Sequence, residues 1–501
     1  MDNKQSLKLL IFIVAYNAES TLAKALARIP ESIYKQYDTN VLVIDDSSLD
    51  RTFQEGVAFS NLHPGIKITV MRNPENQGYG GNQKLGYNYA VKYSYDIVIL
   101  LHGDGQYAPE CLPCFIEPIA SGEAGAVFGS RMIGGRSALK GGMPLYKFIG
   151  NKILTNLQNT LMKSNLSEWH TGYRAYSVRV LSGIPFERND NGFPFDTDII
   201  LQLIQKGIKI KEIPIPTFYG EEICYVNGLR YALQTFMNTL KCRLHNLSLL
   251  YERKYDCDYG KEAYTLKLGY PSSHTAMLSE IKDNSVVLNL GAGAGLLARE
   301  LKKKSCTVIG IDKFNPDEGA YFDLFLKCKF PVSEKPWGNG YRIDYVLLSG
   351  VIEHMIEPEE FLDNLRNWLQ GEQCTVIITS PNIAFFISRI QLLMGSFNYT
   401  KRGTLDKTQV HLFTFSSLKK LLIQSGYKII SIRGIPAPFP EVIPSSFIAL
   451  LLIKINQLLI NLWRNLFSYQ MMIIAKPYPN LDMLLSDSIE HSKELLSRLQ
   501  Q

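Results

Sequence analysis

Residues able to do chemistry gather in this chain just beyond short apolar runs. The segment IFIVAYNAEST leaves Ala15, Tyr16, Asn17 and Glu19 past its apolar stretch, and VLVIDDSSLDRT leaves Asp45 and Asp46 past the next. If each run is a strand of an open parallel sheet, these residues line the carboxyl edge, where such sheets bind ligands. A carboxylate there accepts hydrogen bonds from a uracil or guanine ring or from a ribose. Taken singly, Asp46 also fits a cap on the following helix. A later run ends in LLHGDGQYAPE and brings Asp104, with Gln106 beside it. Oxygen ligands at that place suit a hard divalent cation, which a departing diphosphate requires. Alone, Asp-Gly after a strand is a turn signal.

A second constellation lies far along the chain. In LNLGAGAGLLARE, Gly291, Gly293 and Gly295 fall between a strand pattern and a helix pattern, so backbone can approach a ligand and helix amides can face it. Asp312 ends the next apolar run about 20 residues on, where a carboxylate takes both hydroxyls of a ribose. The glycine turn by itself fits a nicotinamide dinucleotide equally well.

The elements that must position these groups follow from the alternation of strand-like and helix-like stretches. LLIFIVAY, NVLVIDDS, IKITVMRN, YDIVILLHGD and GAVFGSR are strand-like with helical patterns between most of them, which predicts a mainly parallel sheet under helices. The alternation restarts at VVLNLG and continues through CTVIGID, IDYVLLSG, CTVIITSPN, YKIISIRG and YQMMIIAKP. The expected division is a first α/β domain over 1–245, a connecting segment over 246–283, a second α/β domain over 284–480 and a tail over 481–501. A chain of 501 residues is too long for one core. Its net charge of +6 is not gathered into a block, so nucleic acid is not an expected partner. The eight cysteines follow no disulfide or zinc spacing and fit a reducing cytoplasm. The first apolar run is too short to span a bilayer and lacks a cleavage site.

NVLVIDDSSLDRT, NQGYGGNQKLGYNYA, LHGDGQYAPE, GSRMIGGR and HTGYRAYS, in this order and spacing, resemble a family 2 glycosyltransferase of the GT-A fold, near the dolichyl-phosphate mannose synthase branch. The resemblance covers residues 7 to 240. It implies a nucleotide-sugar donor held by Ala15, Tyr16, Glu19, Asp45, Asp46 and Asp104, a Mg or Mn ion on Asp104 and Gln106, and inversion at the anomeric carbon. One departure is His102, which stands where the first aspartate of the usual Asp-x-Asp belongs. Arg131 matches the arginine that faces an acceptor phosphate in the lipid-phosphate branch, and a guanidinium fork suits that anion. SEWHTGYRAY, with Glu168, His170, Tyr173 and Arg174, resembles the acceptor-side loop. A sugar-hydroxyl acceptor needs a base there, Glu168 or His170, whereas a phosphate acceptor needs none. Asp196 and Asp198 in FPFDTDII fit helix capping as well as chemistry.

LLSGVIEHMIEPEEFLDNLRNWL followed by CTVIITSPNIAFF resembles class I methyltransferases of the ubiquinone and glycan-modifying type, over residues 264 to 477. It implies S-adenosylmethionine, with Gly291, Gly293 and Gly295 at its methionine end and Asp312 on its ribose. His354 is then a candidate to orient the acceptor or take its proton. Asn289 stands where an acidic residue is frequent, and Lys329 where an adenine-side acid is. GTLDKTQVHLFTF also recurs in such enzymes, with Gln409 in place of a histidine, making Asp406 and His411 weaker acceptor-side candidates.

One further element is expected as a helical insertion, in the segment 443–467. From Phe447 to Phe467, Lys454, Gln457, Asn461, Arg464 and Asn465 recur on one narrow stripe of an otherwise apolar helix. Two basic residues argue against a span. A helix lying in the membrane interface and a contact with another domain or chain are both open. The expected protein is therefore a cytoplasmic bifunctional enzyme of cell-surface polysaccharide assembly, meeting the membrane, if at all, peripherally at its inner face. Its rivals are a polyprenyl-phosphate sugar synthase with an appended methyltransferase, and a non-catalytic glycan-binding scaffold fused to one.

Overall fold

The computed structural model describes residues 7–492 except 136, 217–226, 248, 258–265, 317–320, 329–334, 339, 401–402, 444–445, 482, 486–487 and 490. Lys329 lies outside the described residues. The chain divides into two compact units, Met1–Lys261 and Glu262–Gln501. The segment expected as a connection is shared between them. Tyr255 and Cys257 are buried in the first unit's core, and Met277, on the helix Ser273–Glu280, is buried in the second's.

The first unit holds β1 (Lys8–Ala15), β2 (Asp38–Asp45), β3 (Ile68–Arg72), β4 (Ile97–His102), β5 (Ala126–Ser130), β6 (Arg174–Ser177) and β7 (Ile210–Pro214). They form one seven-stranded sheet in the order β3-β2-β1-β4-β6-β5-β7. β1 is almost wholly apolar because it is parallel to β2 and β4 and buried on both faces. Its register sets Ala15 beside Asp45 and Val14 beside His102, so three chain segments reach the same edge together. β6 runs antiparallel to both β4 and β5 and turns the sheet over at Arg174.

The second unit holds β8 (Val286–Leu290), β9 (Thr307–Asp312), β10 (Leu324–Lys327), β11 (Tyr345–Ser349), β12 (Thr375–Pro381), β13 (Tyr427–Ile435) and β14 (Gln470–Pro477). Their order is β10-β9-β8-β11-β12-β14-β13, parallel except for β14, which lies antiparallel between β12 and β13. Leu290 pairs with Ile311 and Leu348, which brings Gly291, Asp312 and Ser349 to one edge. The fold class is thus α/β twice over, a GT-A-like sheet followed by a Rossmann-like one.

Three strands escape the sequence patterns: β6, β7 and β10. Each is four or five residues long. β7 and β10 are only partly buried sheet edges, so they carry no long apolar run. The late apolar helix is also not continuous to Phe467. It spans Ser446–Leu462, Trp463 turns out of helical geometry at φ −146° and ψ 82°, and a short helix Arg464–Phe467 follows. The break swings the chain back so that the buried Asn456 donates to Phe467 O at 3.0 Å while accepting from Ala437 N at 2.9 Å. Ala449, Ile453 and Ile460 share its inward face.

Candidate active sites

At the edge of the first sheet, the two aspartates at the end of β2, Asp45 within it and Asp46 just past it, face into the protein. Asp45 accepts from Ser48 through both N–H and hydroxyl, and Arg72 Nε lies 3.5 Å from its other oxygen. Asp46 accepts from Asn73 Nδ2 at 2.7 Å and Gln77 N at 2.8 Å. Glu19 holds the same turn by accepting from Arg51 N at 3.1 Å. These carboxylates shape two loops, 45–52 and 73–78, while Tyr16 stands outward, 44% exposed.

Past β4, a chain of hydrogen bonds runs inward from His102. Its Nε2 lies 3.2 Å from Tyr79 Oη, and Tyr79 donates to Asp196 Oδ2 at 2.9 Å. Asp196 also accepts from Gln83 and lies 3.6 Å from Arg174 Nη1. Gly172 makes room for this pair, because a Cβ there would fall 2.7 Å from the imidazole and 2.8 Å from the phenol oxygen. Burial pushes the His102 imidazole below its ordinary range, against the pull of Asp104 and Asp196. Asp104 is outermost, with Oδ1 accepting from Gln106 N at 3.0 Å and Oδ2 4.0 Å from His102 Nδ1. Neither Asp196 nor Asp198 caps its helix, Phe195–Gln205, through its side chain. Asp198 instead binds Lys254, Tyr255 and Asn238.

A second cluster stands at the end of β5. Glu168 is fully buried and accepts from Arg131 N at 2.8 Å, Arg131 Nε at 3.0 Å, Arg131 Nη2 and Asn151 Nδ2 at 2.9 Å. Burial would raise its carboxyl, but Arg131 carries it below the usual range. Burial drives His170 down to about 4, and its Nε2 has no hydrogen-bond partner. The two clusters meet where Gly172 N donates to Tyr107 Oη at 2.8 Å, Tyr107 packing edge-on to His102. Tyr173 and Arg174 are buried: Tyr173 donates to Ala108 O, and Arg174 binds the carbonyls of Thr171, Asp196 and Trp169.

In the second unit Gly291, Gly293 and Gly295 take φ of 70°, 54° and 81°, a left-handed run that side chains disfavour. A Cβ at Gly291 would strike Val351 at 2.5 Å, while Gly293 faces open space. Asp312 accepts from Gly293 N at 2.8 Å and Phe314 N at 3.0 Å. Across the edge, the 3-10 turn Ile352–His354 follows β11. His354 Nδ1 donates to Thr408 O at 2.9 Å and His411 Nε2 to Ile356 O at 3.0 Å, strapping the 404–413 segment onto that turn. Asp406 closes its own turn on Thr408 and sits 3.4 Å from the Gln409 amide oxygen through its N–H. Asn289 is buried within β8.

Residues 10–183 match the glycosyl transferase family 2 and residues 265–432 a methyltransferase domain family. The chain carries a family 2 glycosyltransferase domain and a methyltransferase domain. Among curated proteins, the undecaprenyl-phosphate mannosyltransferase of Micrococcus luteus is 26% identical over 251 residues, 48% of this chain and 99% of that protein. The polyprenol monophosphomannose synthase of Mycolicibacterium smegmatis is 26% identical over 215 residues, 43% of this chain and 78% of that protein. Among solved structures, glucosyl-3-phosphoglycerate synthase of Mycobacterium tuberculosis with uridine diphosphate is similar at 16% identity and a TM-score of 0.36, covering 47% of this chain and 80% of that one.

In the glycosyltransferase domain the structure brings Ala15, Tyr16, Glu19, Asp45, Asp46, Asp104 and Gln106 to one sheet edge, with Arg131, Glu168 and His170 beside it. Among the described residues no three His, Cys, Asp or Glu side chains converge on a metal position. Asp104, whose Oδ1 accepts from Gln106 N, is the carboxylate at this edge that would fit a divalent ion, which would supply charge to a leaving diphosphate. In the methyltransferase domain the open crest at Gly293 and the carboxylate of Asp312 fit S-adenosylmethionine, the source of the methyl group. Sequence reading missed Tyr79, which sits in NQGYGG, and Glu353. Glu353 is buried beside His354, its Oε2 has no hydrogen-bond partner, and burial raises its carboxyl to about 7. An acid in the turn four residues past an apolar strand and just before a histidine was the available signal.

Proposed function

We propose a bifunctional enzyme of cell-surface polysaccharide biosynthesis. Its glycosyltransferase domain moves a sugar, with inversion, from a nucleoside diphosphate to a glycan or lipid-linked acceptor. Its methyltransferase domain moves a methyl group from S-adenosylmethionine to a hydroxyl of the same product. In the first site Tyr16 meets the nucleoside, Asp45 and Asp46 hold the loops that frame it, and Asp104 holds the cation with Gln106 positioning it. In the second, the Gly291–Gly295 turn and Asp312 hold the cofactor, while His354 and Glu353 flank the acceptor.

The observation that carries the choice of acceptor is the state of the two candidate bases. Glu168 is committed to Arg131 and Asn151, and His170 is buried and a weak base. Neither is set to deprotonate a sugar hydroxyl, whereas a phosphate needs no base. A lipid phosphate is also supported by the helices Leu145–Met162 and Gly228–Asn246, which pack together and expose Leu145, Ile149, Ile153 and Leu157 on one and Leu229, Leu233 and Met237 on the other. Asn151 ties the first of these helices to Glu168. The relatives named for undecaprenyl phosphate and polyprenol point the same way. Among the described residues no helix is long and apolar enough to cross a membrane, so contact with such an acceptor would be peripheral. Incubation with labelled nucleotide sugars and polyprenyl phosphate, followed by partition into organic solvent, tests this. Label in the organic phase is expected; label found only in water-soluble glycan would reject the lipid acceptor.

A further inference from the structure

We propose that the helix Ser446–Leu462, with Trp463 at its end, is a docking face of the methyltransferase unit for an anionic lipid surface, and that it holds the methyl-transfer edge of the sheet against the membrane. The docking stands on this surface alone. Its use, bringing a lipid-linked product to the methyl donor, rests on the function proposed above.

The helix is apolar on two opposite faces. Ala449, Ile453, Asn456 and Ile460 recur at helical spacing as a buried stripe, and Asn456 satisfies its amide on that side through Ala437 N and Phe467 O. Half a turn away, Phe447, Leu451, Ile455, Leu458 and Leu462 form a second stripe at the same spacing, and every one of them is exposed. A helix that is apolar all round belongs where both faces are covered. The core covers one. The outer stripe runs roughly 22 Å at 1.5 Å per residue as a ridge, which suits a surface that yields around it.

Charge decides what covers the outer face. From Phe447 to Phe467 the chain carries Lys454 and Arg464, both exposed, and no Asp or Glu. Anionic headgroups supply counter-charge wherever these side chains reach, and the lysine stem can lie along the apolar surface. Tryptophan favours the level where acyl chains meet headgroups. Of the four tryptophans, Trp169, Trp337 and Trp368 are buried, while Trp463 is 54% exposed at the break that ends the helix.

The place of this face in the fold gives it a use. β12 and β13 both run antiparallel to β14, with Pro381 paired to Gln470 and Gln470 to Ile435. The insertion between β13 and β14 therefore leaves the sheet at the carboxyl edge, where Gly291, Asp312 and Ser349 stand. It is also fastened there. Asn382 Nδ2, just past β12, donates to Asn465 O at 3.0 Å and to Ser468 O at 2.8 Å, and the Phe386 and Phe467 rings lie 6.0 Å apart. A membrane met by the outer stripe lies beside the edge that holds the methyl donor.

The test follows Trp463 fluorescence in the full chain, with Trp463→Phe giving the background of the buried tryptophans. Without vesicles, acrylamide is expected to quench Trp463. Vesicles of phosphatidylcholine with phosphatidylglycerol are expected to shift its emission to the blue, and brominated lipid in them to quench it. Leu458→Gln with Leu462→Gln should lower partition on the order of a hundredfold. Lys454→Gln should lower it about fivefold on these vesicles and leave partition to phosphatidylcholine alone unchanged. Protection of Trp463 from acrylamide without vesicles means that protein, a second copy or the other unit, covers the face, and overturns the proposal. An emission that anionic vesicles leave unmoved also overturns it, even where the chain floats with them, since another surface then makes the contact. Either result leaves sugar and methyl transfer standing, because those are read separately from labelled products.

Discussion

Glu168→Gln separates a structural ion pair from a catalytic base. In the folded chain Glu168 is fully buried and receives hydrogen bonds from Arg131 N, Nε and Nη2 and from Asn151, while the Arg131 side chain is only 15% exposed. Removing the negative charge leaves a guanidinium desolvated without its counter-ion. Breaking a buried pair in this way costs about 3–5 kcal/mol, and glutamine, which keeps one acceptor oxygen, should fall near the lower figure. For a domain of this size about 3 kcal/mol lowers the melting temperature by about 6 to 12 °C. Calorimetry should therefore show the glycosyltransferase transition shifted and the methyltransferase transition in place. Because Arg131 holds the Glu168 carboxyl below the ordinary carboxylate range, its stabilisation is present above the unfolded carboxyl range and is lost as pH falls through the lower, folded value. The gap between wild type and variant should close in acid. An unchanged melt at neutral pH, or a gap that stays the same size as far into acid as the wild type remains folded, would refute the reasoning.

Asp312→Asn should weaken S-adenosylmethionine binding by roughly 1.5–3 kcal/mol for each charged hydrogen bond lost, with nucleotide-sugar binding unaltered by calorimetry. Binding of NADH in place of S-adenosylmethionine would sink the cofactor assignment. Glu353 has its carboxyl raised to about 7 from 4.5 by burial, so its stabilising protonated form is complete below about pH 4.5 and is lost as pH rises through about 7. Glu353→Gln should flatten the pH dependence of the methyltransferase melt over that window by about 3 kcal/mol, and an unchanged pH profile would count against the buried acid. The helix Ser446–Leu462 exposes Leu451, Leu458 and Leu462, with Trp463 just beyond it. Polar residues at these four positions should release the protein from anionic vesicles in flotation, since their burial at about 25 cal/mol per Å2 outweighs roughly 1 kcal/mol from each nearby basic side chain. Failure of the unaltered chain to float would assign that face to a protein contact.

The parallel strand ends were legible because continuous apolar runs such as IFIVA and VLVI mark buried strands without any knowledge of their neighbours. Turn chemistry showed the rest of each edge, through Asp-Gly at 104 and the glycines at 291–295. Strands β6, β7 and β10 were not legible, being four or five residues long and carrying too little apolar sequence to show a period. Side-chain state was hidden for a different reason. Glu168 could be named as a candidate base, but its pairing with Arg131 spans 37 positions and appears only on folding. Tyr79 meets Asp196 across 117 positions, so no local pattern could show that contact. The apolar helix was expected to run to Phe467 because its composition does, whereas Trp463 ends it through backbone geometry that composition does not encode.

The central claim is that one chain carries two independent transfer sites on two sheets. It is tested most directly by assaying Asp104→Ala for both reactions in one preparation, with labelled nucleotide sugar and labelled S-adenosylmethionine. Loss of the metal-dependent charge stabilisation should cost several kcal/mol, removing sugar transfer, while methyl transfer to a supplied acceptor continues at the wild-type rate. Sugar transfer near the wild-type rate in this variant would contradict the account.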